Sequence, residues 1–263
     1  MKKKSFLIVL GVCIGTTGFV WGTNDKPLYK NPDAPIENRV EDLLRRMTLQ
    51  EKVLQLQNKP VGRIDEIERV FGGQSYGCTH EMGQTAEECA RIYNELQNYM
   101  LTKTRLGIPI LTAVEGIQGI LQNNSTLFPH AIAQGSTFNP GLIERMTEAA
   151  GAEAATMGIH QVLSPVFDIA RELRWGRVEE TYGEDPYLIA EMGIGFVKGY
   201  QKHRITCTPK HFVAHGTPTG GLNCAFVSGG EREFRSMHLY PFARVIKEAD
   251  PLCIMSCYSA YDG

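Results

Sequence analysis

Short apolar runs that read as strands alternate with longer segments of helical periodicity through most of this 263-residue chain. That alternation constrains the fold more than any other feature. Ile108 to Val114 predicts a strand, and Asn139-Pro140 predicts a helix start, with the asparagine as cap and the proline in the first turn. That helix is expected to run to about Met157, followed by a strand over His160 to Phe167. Asp185-Pro186 repeats the cap pattern for a helix to about His203, before a strand at Ile205 to Pro209. A helix over Glu231 to Ala249 and a strand over Leu252 to Cys257 complete the pattern. Upstream, Val40, Leu43, Leu44 and Met47 recur at helical spacing. Thr48 with Glu51 forms a capping box for a second helix, and a third is expected from about Thr85 to Thr102. The glycine-rich stretch Gly72 to Gly83 reads as irregular. Apolar strands separated by helices imply a parallel sheet covered by helices. Both a (β/α)8 barrel and an open doubly wound sheet satisfy that order. No G-x-G-x-x-G follows the first strand and no phosphate-binding G-x-x-x-x-G-K-[ST] is present, so the barrel is the expected fold.

The composition, 43% hydrophobic and 21% charged, is that of an ordinary globular chain. A net charge of −2 without a basic stripe argues against nucleic-acid binding. Residues 1–22 read as a secretory signal: Met1-Lys2-Lys3-Lys4 is a positive start, and Ser5 to Val20 an apolar core interrupted by glycines. Small residues around Gly22 offer a cleavage site. A retained membrane anchor is the rival reading, but the apolar run falls short of the roughly 20 residues that span a bilayer. A lipoprotein site at Cys13 is disfavoured by the bulky Val12 before it. The expectation is export, to a periplasmic or extracellular location, without stable membrane insertion. Residues 23–37 are polar and proline-bearing, a linker, and 38–263 are expected to form one domain.

Six cysteines lie outside the signal, and an oxidising compartment permits them to pair. Cys253 and Cys257, roughly 13 Å apart along an extended strand, are too distant to bridge each other. Buried free thiols are the preferred reading for most of the six. No cysteine or histidine spacing suggests zinc, and no cofactor or metal is expected.

Polar residues gather just after the expected strands, where a barrel of this kind forms its site. Glu115 follows the first strand, and Asp168, Arg171, Arg174 and Arg177 follow the second. Lys210 and His211 follow the third, and Tyr258 the last. Cations, an imidazole, a carboxylate and an aromatic ring suit a neutral polyhydroxylated ligand, because sugar hydroxyls both donate to and accept from ionised groups. The segment Ser164 to Pro186, SPVFDIARELRWGRVEETYGEDP, is the densest of these, setting arginines and carboxylates beside a tryptophan. Asp168 reads as a brace for the loop and Trp175 as packing beneath it. Arg174 is assigned to a structural pairing with Glu179, Glu180 or Asp185, and Asp185 to capping. The acidic run Glu179 to Asp185 is not read as a catalytic pair.

This segment resembles the signature of glycoside hydrolase family 3, the β-glucosidase and β-xylosidase family. Leu106 to Pro109 (LGIP), Ala113 to Gly119 (AVEGIQG), Thr126 to Pro129 (TLFP), Pro209 to Val213 (PKHFV) and Met255 to Tyr258 (MSCY) resemble further family blocks in the family's order. The resemblance implies that Glu115, Arg177, Lys210 and His211 hold the sugar where the bond is cut, and that Tyr258 lies near the nucleophile. Gln118 departs from the family's usual histidine, and Glu172-Leu173 from its usual Asp-Pro.

Retaining glycoside hydrolysis needs two carboxyl groups about 5–5.5 Å apart. The resemblance implies that the nucleophilic aspartate follows the Met255 to Tyr258 block and that the acid comes from a separate C-terminal domain. Neither is present in this sequence, so no catalytic residue is assigned and the barrel is expected to be incomplete at its C-terminal end. The expected activity is hydrolysis of terminal β-glucosidic or xylosidic bonds by a parent enzyme acting on β-linked oligosaccharides or glycosides. This chain alone is expected to be inactive. Two alternatives stand beside it. One is a noncatalytic sugar-binding fragment. The other is a β-N-acetylglucosaminidase, whose loop resembles the one around His215-Gly216 but carries an aspartate where Thr217 stands.

Overall fold

The computed structural model describes residues 27–80 and 85–262. The predicted signal at 1–22 and the first residues of the linker lie outside the described residues. The chain divides into two units, Met1–Met47 and Thr48–Gly263.

In the first unit the predicted linker already carries structure. A 3-10 turn at Leu28–Lys30 precedes helix α1 (Ile36–Arg46), which begins directly after Pro35. The Asp42 carboxylate accepts from the Tyr29 main-chain N–H at 3.1 Å and from Arg46, and Arg39 donates to the Tyr29 carbonyl. Polar contacts of this kind order a segment whose composition alone reads as linker.

The second unit opens with α2 (Leu49–Gln55), whose capping box of Thr48 and Glu51 forms as expected. Arg105 donates twice to the Glu51 carboxylate and, against some opposing burial, holds it down at a pKa of about 2. Helix α3 (Ile67–Phe71) follows and ends at left-handed Gly72. Strand β1 (Cys78–His80) then lies inside the stretch predicted to be irregular. Its short length hides it from periodicity, and it forms because Leu111 to Ala113 offer a parallel partner.

Helix α4 (Ala86–Lys103) starts from a second capping box, Thr85 with Glu88. Strand β2 (Leu111–Val114) starts later than the predicted Ile108. Pro109 has no N–H to give, and the Gln97 side chain takes both backbone groups of Ile110, at 3.2 and 2.6 Å. Beyond the short α5 (Ala131–Gly135), helix α6 (Pro140–Thr156) starts at the predicted Asn139 cap, 3.0 Å from the Leu142 N–H. Strand β3 is reduced to Gln161–Val162, because Pro165 lacks a donor to extend the ladder. Helix α7 (Pro186–Gln201) is capped by Asp185 as predicted, at 2.8 Å from the Leu188 N–H, and β4 (Thr206–Cys207) follows it.

The predicted Glu231–Ala249 helix forms in three parts: α8 (Glu231–Glu233), a π-helical stretch at Phe234–His238, and α9 (Leu239–Ala249). Pro241 lies inside it, and its missing N–H and bulky ring account for the irregular turn just upstream. Leu252 to Cys257, predicted as a strand, is extended but forms no ladder. The Phe212 N–H donates to Met255 O at 2.7 Å and the Cys257 N–H to Phe212 O at 2.8 Å. Residues 213–216 then turn away, so the pairing stops at a single bridge between Phe212 and Ser256.

The sheet is wholly parallel in the order β1-β2-β3-β4, each strand beside the next in sequence. A doubly wound sheet reverses its order at a switch point; this one does not, and the strands form an arc of a (β/α) barrel. Helices α4, α6 and α7 supply much of the core through Leu96, Met100, Ile143, Ile189, Phe196 and Tyr200. Helices α6 and α7 approach closely because glycines line their contact. A Cβ at Gly195 would stand 2.6 Å from the Pro140 carbonyl oxygen, and one at Gly199 would strike Thr147 and the Glu144 carbonyl. The buried Tyr200 hydroxyl donates to the Gly116 carbonyl at 2.9 Å, tying α7 to the turn after β2.

Among the described residues all six cysteines are free of disulfides; Cys89 and Cys207 are buried and Cys224 is exposed. No helix among the described residues is long and apolar enough to cross a membrane.

Gly199→Ala should destabilise the fold by about 1–3 kcal/mol, the usual cost of overpacking a tight contact. Urea unfolding of the variant against the parent chain checks this, with Gly62→Ala, which meets open space, expected to be near neutral.

Candidate functional site

Glu115 is the residue directly after β2, and Lys210 lies three residues beyond β4. The two strands are separated by β3, yet the side chains meet, with Lys210 Nζ 2.6 Å from Glu115 Oε2. The lysine side chain is 3% exposed and the glutamate 39%, so a buried ammonium is neutralised by a carboxylate that still reaches the surface. The turn carrying Glu115 is held from two sides. Ser164 Oγ donates to the Glu115 carbonyl at 2.7 Å, and Tyr200 holds the Gly116 carbonyl.

Next to Lys210, His211 is buried, its Nδ1 2.6 Å from Asp168 Oδ2. The His211 main-chain N–H reaches the same oxygen at 3.3 Å. Asp168 therefore braces the loop bearing the Lys-His pair, and not its own Ser164–Pro186 loop as the sequence suggested. The His211 ring lies 5.4 Å from the Tyr258 ring and 4.6 Å from that of His215. Tyr258 itself is 57% exposed, and its hydroxyl makes only a long contact, 3.7 Å, to the Met255 sulfur. It is not the buried tyrosine with a bonded hydroxyl that a purely structural role would supply.

Arg177 donates twice to Glu180, at 2.6 and 2.7 Å, and stacks its guanidinium 5.8 Å from the Trp175 ring. The Glu180 hydrogen bonds raise the Arg177 pKa against the pull of burial, and the negative charges of Asp168 and Glu115 add to them. Burial pushes Glu180 up, but its hydrogen bonds to Arg177, with the charges of Arg177 and Lys210, outweigh it and hold the carboxyl below its usual range. Trp175 is buried beneath the loop as expected, its indole N–H donating to Asn223 at 3.1 Å. Arg174 pairs with Glu172, not with Glu179, Glu180 or Asp185, and lowers that carboxyl to about 2. Spacing pointed to the wrong partner because a contact two residues away in a tight loop carries no periodic signal.

The structure thus brings Glu115, Arg177, Lys210, His211 and Tyr258 to one end of the sheet. Glu115 and the neighbouring carboxylates Asp168 and Glu180 each have a nitrogen partner: Glu115 with Lys210, Asp168 with His211 and Glu180 with Arg177. Such a balanced set suits an uncharged ligand rich in hydroxyls, which can exchange bonds with ionised groups without bringing charge of its own. None of these carboxylates is left as an unpaired nucleophile. His215 is fully buried, its Nδ1 3.1 Å from Ser259 Oγ, and burial lowers its pKa. Thr217 turns its hydroxyl back to the Ala214 carbonyl. Among the described residues no cluster of three or more histidine, cysteine or acidic side chains could hold a metal ion.

Sequence reasoning offered Glu180 to Arg174 and not to Arg177, and gave no role to Ser164, Asn223 and Ser259. The three-residue spacing of Arg177 and Glu180 was a usable signal. Partners such as Ser164 for Glu115, 49 residues apart, have none.

The family profile for the glycosyl hydrolase family 3 N terminal domain matches residues 48–263. A β-xylosidase of Formosa agariphila is 30% identical over 277 residues, covering all of this chain and 32% of that protein. A periplasmic β-glucosidase of Salmonella typhimurium is 30% identical over 77% of this chain and 26% of its own length. Among solved structures, a β-glucosidase from Erythrobacter marinus superposes with a TM-score of 0.81 at 30% identity. It covers 90% of this chain and 33% of that one. The β-glucosidase of Listeria innocua in complex with laminaribiose superposes at 0.75 with 28% identity, covering 86% and 33%. The chain spans about a third of the length of these relatives.

Glu180→Gln should lower the melting temperature at neutral pH. A carboxyl with a depressed folded pKa stabilises above its unfolded value, and that contribution is lost as pH falls through the folded value. The gap between variant and parent should therefore narrow as pH falls below the usual carboxylate range, in melts taken across that range. A gap that stayed constant would assign the effect to packing instead.

Proposed function

The chain belongs to glycosyl hydrolase family 3, and from that premise we propose that it forms the sugar-holding part of an exported retaining β-glycosidase acting on β-glucosides or β-xylosides. The observation that carries this reading is the charge-balanced group at the strand ends. Lys210 and Arg177 are donors fixed by Glu115 and Glu180, His211 is held by Asp168, and Tyr258 is exposed beside them. The relatives named as β-glucosidases and β-xylosidases, one of them with bound laminaribiose, support the substrate class.

In this reading Glu115, Arg177, Lys210 and His211 bind the hydroxyls of the sugar whose bond is cut, and Tyr258 lies near the nucleophile. Binding energy held in such bonds orients the sugar and lowers the barrier where the bonds strengthen as charge develops on the ring. The reaction itself needs a nucleophile and an acid. The three carboxylates of this site are each committed to a cation or an imidazole, so these 263 residues bind and orient while the parent protein supplies the reacting pair. The boundary between a linker at 23–37 and a domain at 38–263 falls inside helix α1, and the family match supports a domain that starts at Thr48. The lysine-rich start and apolar stretch of residues 1–22 support export, as does the periplasmic location in the Salmonella relative's name.

The parent protein should hydrolyse aryl β-glucosides or β-xylosides. Hydrogen bonds to charged groups contribute about 1.5–3 kcal/mol, so Lys210→Ala and Arg177→Ala should each lower kcat/KM roughly 10- to 100-fold. The 263-residue chain alone should show no turnover with the same substrates. Turnover by this chain that disappears in Glu115→Gln would show that Glu115 is a nucleophile and overturn its assignment to binding.

A further inference from the structure

We propose that Asp168 is a positioning residue that keeps the proton of His211 on Nδ1, so that Nε2 is the ring nitrogen left for a ligand. The inference deepens the reading of this site as sugar-holding and rests on it. The geometry starts at one oxygen. Asp168 Oδ2 takes the His211 main-chain N–H at 3.3 Å and meets the ring Nδ1 at 2.6 Å. An oxygen already accepting a main-chain N–H meets Nδ1 as an acceptor too, which requires the proton on Nδ1.

Both side chains are out of solvent, at 1% and 0% exposure, so water does not compete for the bond. The other carboxylate oxygen, Oδ1, is buried without a partner. A carboxylate kept only to brace a loop would be expected to spread its acceptors over several donors; both hydrogen bonds found on this one come from His211. The loop that follows is packed down on it, since a Cβ at Gly216 would stand 2.8 Å from the Asp168 Cβ and 2.9 Å from the Ile169 carbonyl oxygen. Asp168 is closely enclosed on that side.

The consequence is a division of labour within the Lys-His pair. The Lys210 ammonium only donates. A neutral His211 protonated at Nδ1 can only accept at Nε2. Adjacent residues then ask opposite things of the ligand: one hydroxyl oxygen accepts from Lys210, and another hydroxyl donates its proton to His211. A ligand carrying an ether or a fluorine in place of the donating hydroxyl would lose that second bond while keeping the first.

The decisive measurement is the two-bond 15N–1H imidazole spectrum of the 263-residue protein at neutral pH, with the His211 signals assigned by their loss in His211→Asn. Nδ1 protonated with Nε2 bare is the expected result. A His211 protonated on Nε2, whether on that nitrogen alone or on both, would overturn the proposal without any variant at Asp168. In Asp168→Asn the amide can turn its NH2 toward the ring, and His211 should move at least partly to the Nε2–H form. An unchanged His211 in a folded Asp168→Asn would also overturn it. In the parent protein, Asp168→Asn should lower kcat/KM for an aryl β-glucoside roughly tenfold or more, the usual size of losing a bond to a charged group. It should also reduce the discrimination between the glucoside and its deoxy or fluoro analogues at one hydroxyl. Retained discrimination with a lowered rate would mark Asp168 as purely structural. A parent protein without glycosidase activity would defeat the functional reading, while the spectrum would still decide the tautomer.

Discussion

Charge buried at the end of a sheet has to be matched, and that requirement organises the site. Lys210 has its ammonium almost wholly out of water, and Asp168 its carboxylate entirely so. Removing one partner of such a pair leaves an uncompensated charge, commonly at a cost of about 3–5 kcal/mol when both are fully buried. The partners come from separate strand ends: Glu115 follows β2, Asp168 follows β3, and Lys210 and His211 follow β4. Satisfying these buried groups therefore fixes three loops against one another.

The helical layer makes that arrangement possible. Glycines let α6 and α7 close on each other, and this brings Tyr200 to the turn after β2, where its hydroxyl holds the Gly116 carbonyl. With Ser164 holding the Glu115 carbonyl, the backbone on both sides of this turn is committed. A half-exposed glutamate on a mobile turn would be a loose partner for Lys210. On this turn it keeps one position, at the border between the buried charges and solvent.

Helix boundaries were legible because their determinants are local. The Thr48 capping box, the Asn139-Pro140 start and the Asp185-Pro186 start each lie within four residues of sequence and formed as read, and the helix expected from about Thr85 starts there on a capping box of its own. Strand boundaries were not. β1 exists because of a partner 33 residues away, β2 is shortened by a side chain from α4, and Leu252 to Cys257 fails to become a ladder because its neighbour bends into the site. Arg174 was assigned to distant acids and found its partner two residues back, at Glu172.

What the sequence determined by itself was the alternation that selects a parallel sheet, the helix caps, and the identity of the polar residues that follow the strands. These depend on residue type and short spacing, and they survive without coordinates. Tertiary structure decided which of those residues touch. Pairings such as Glu115 with Lys210, 95 residues apart, and Asp168 with His211, 43 apart, depend on strand order and on how closely the helices pack. The same applies to the exposed setting of Tyr258 and the buried one of His215. A charge finds its partner across space, and no local rule of sequence encodes a distance that only the folded chain creates.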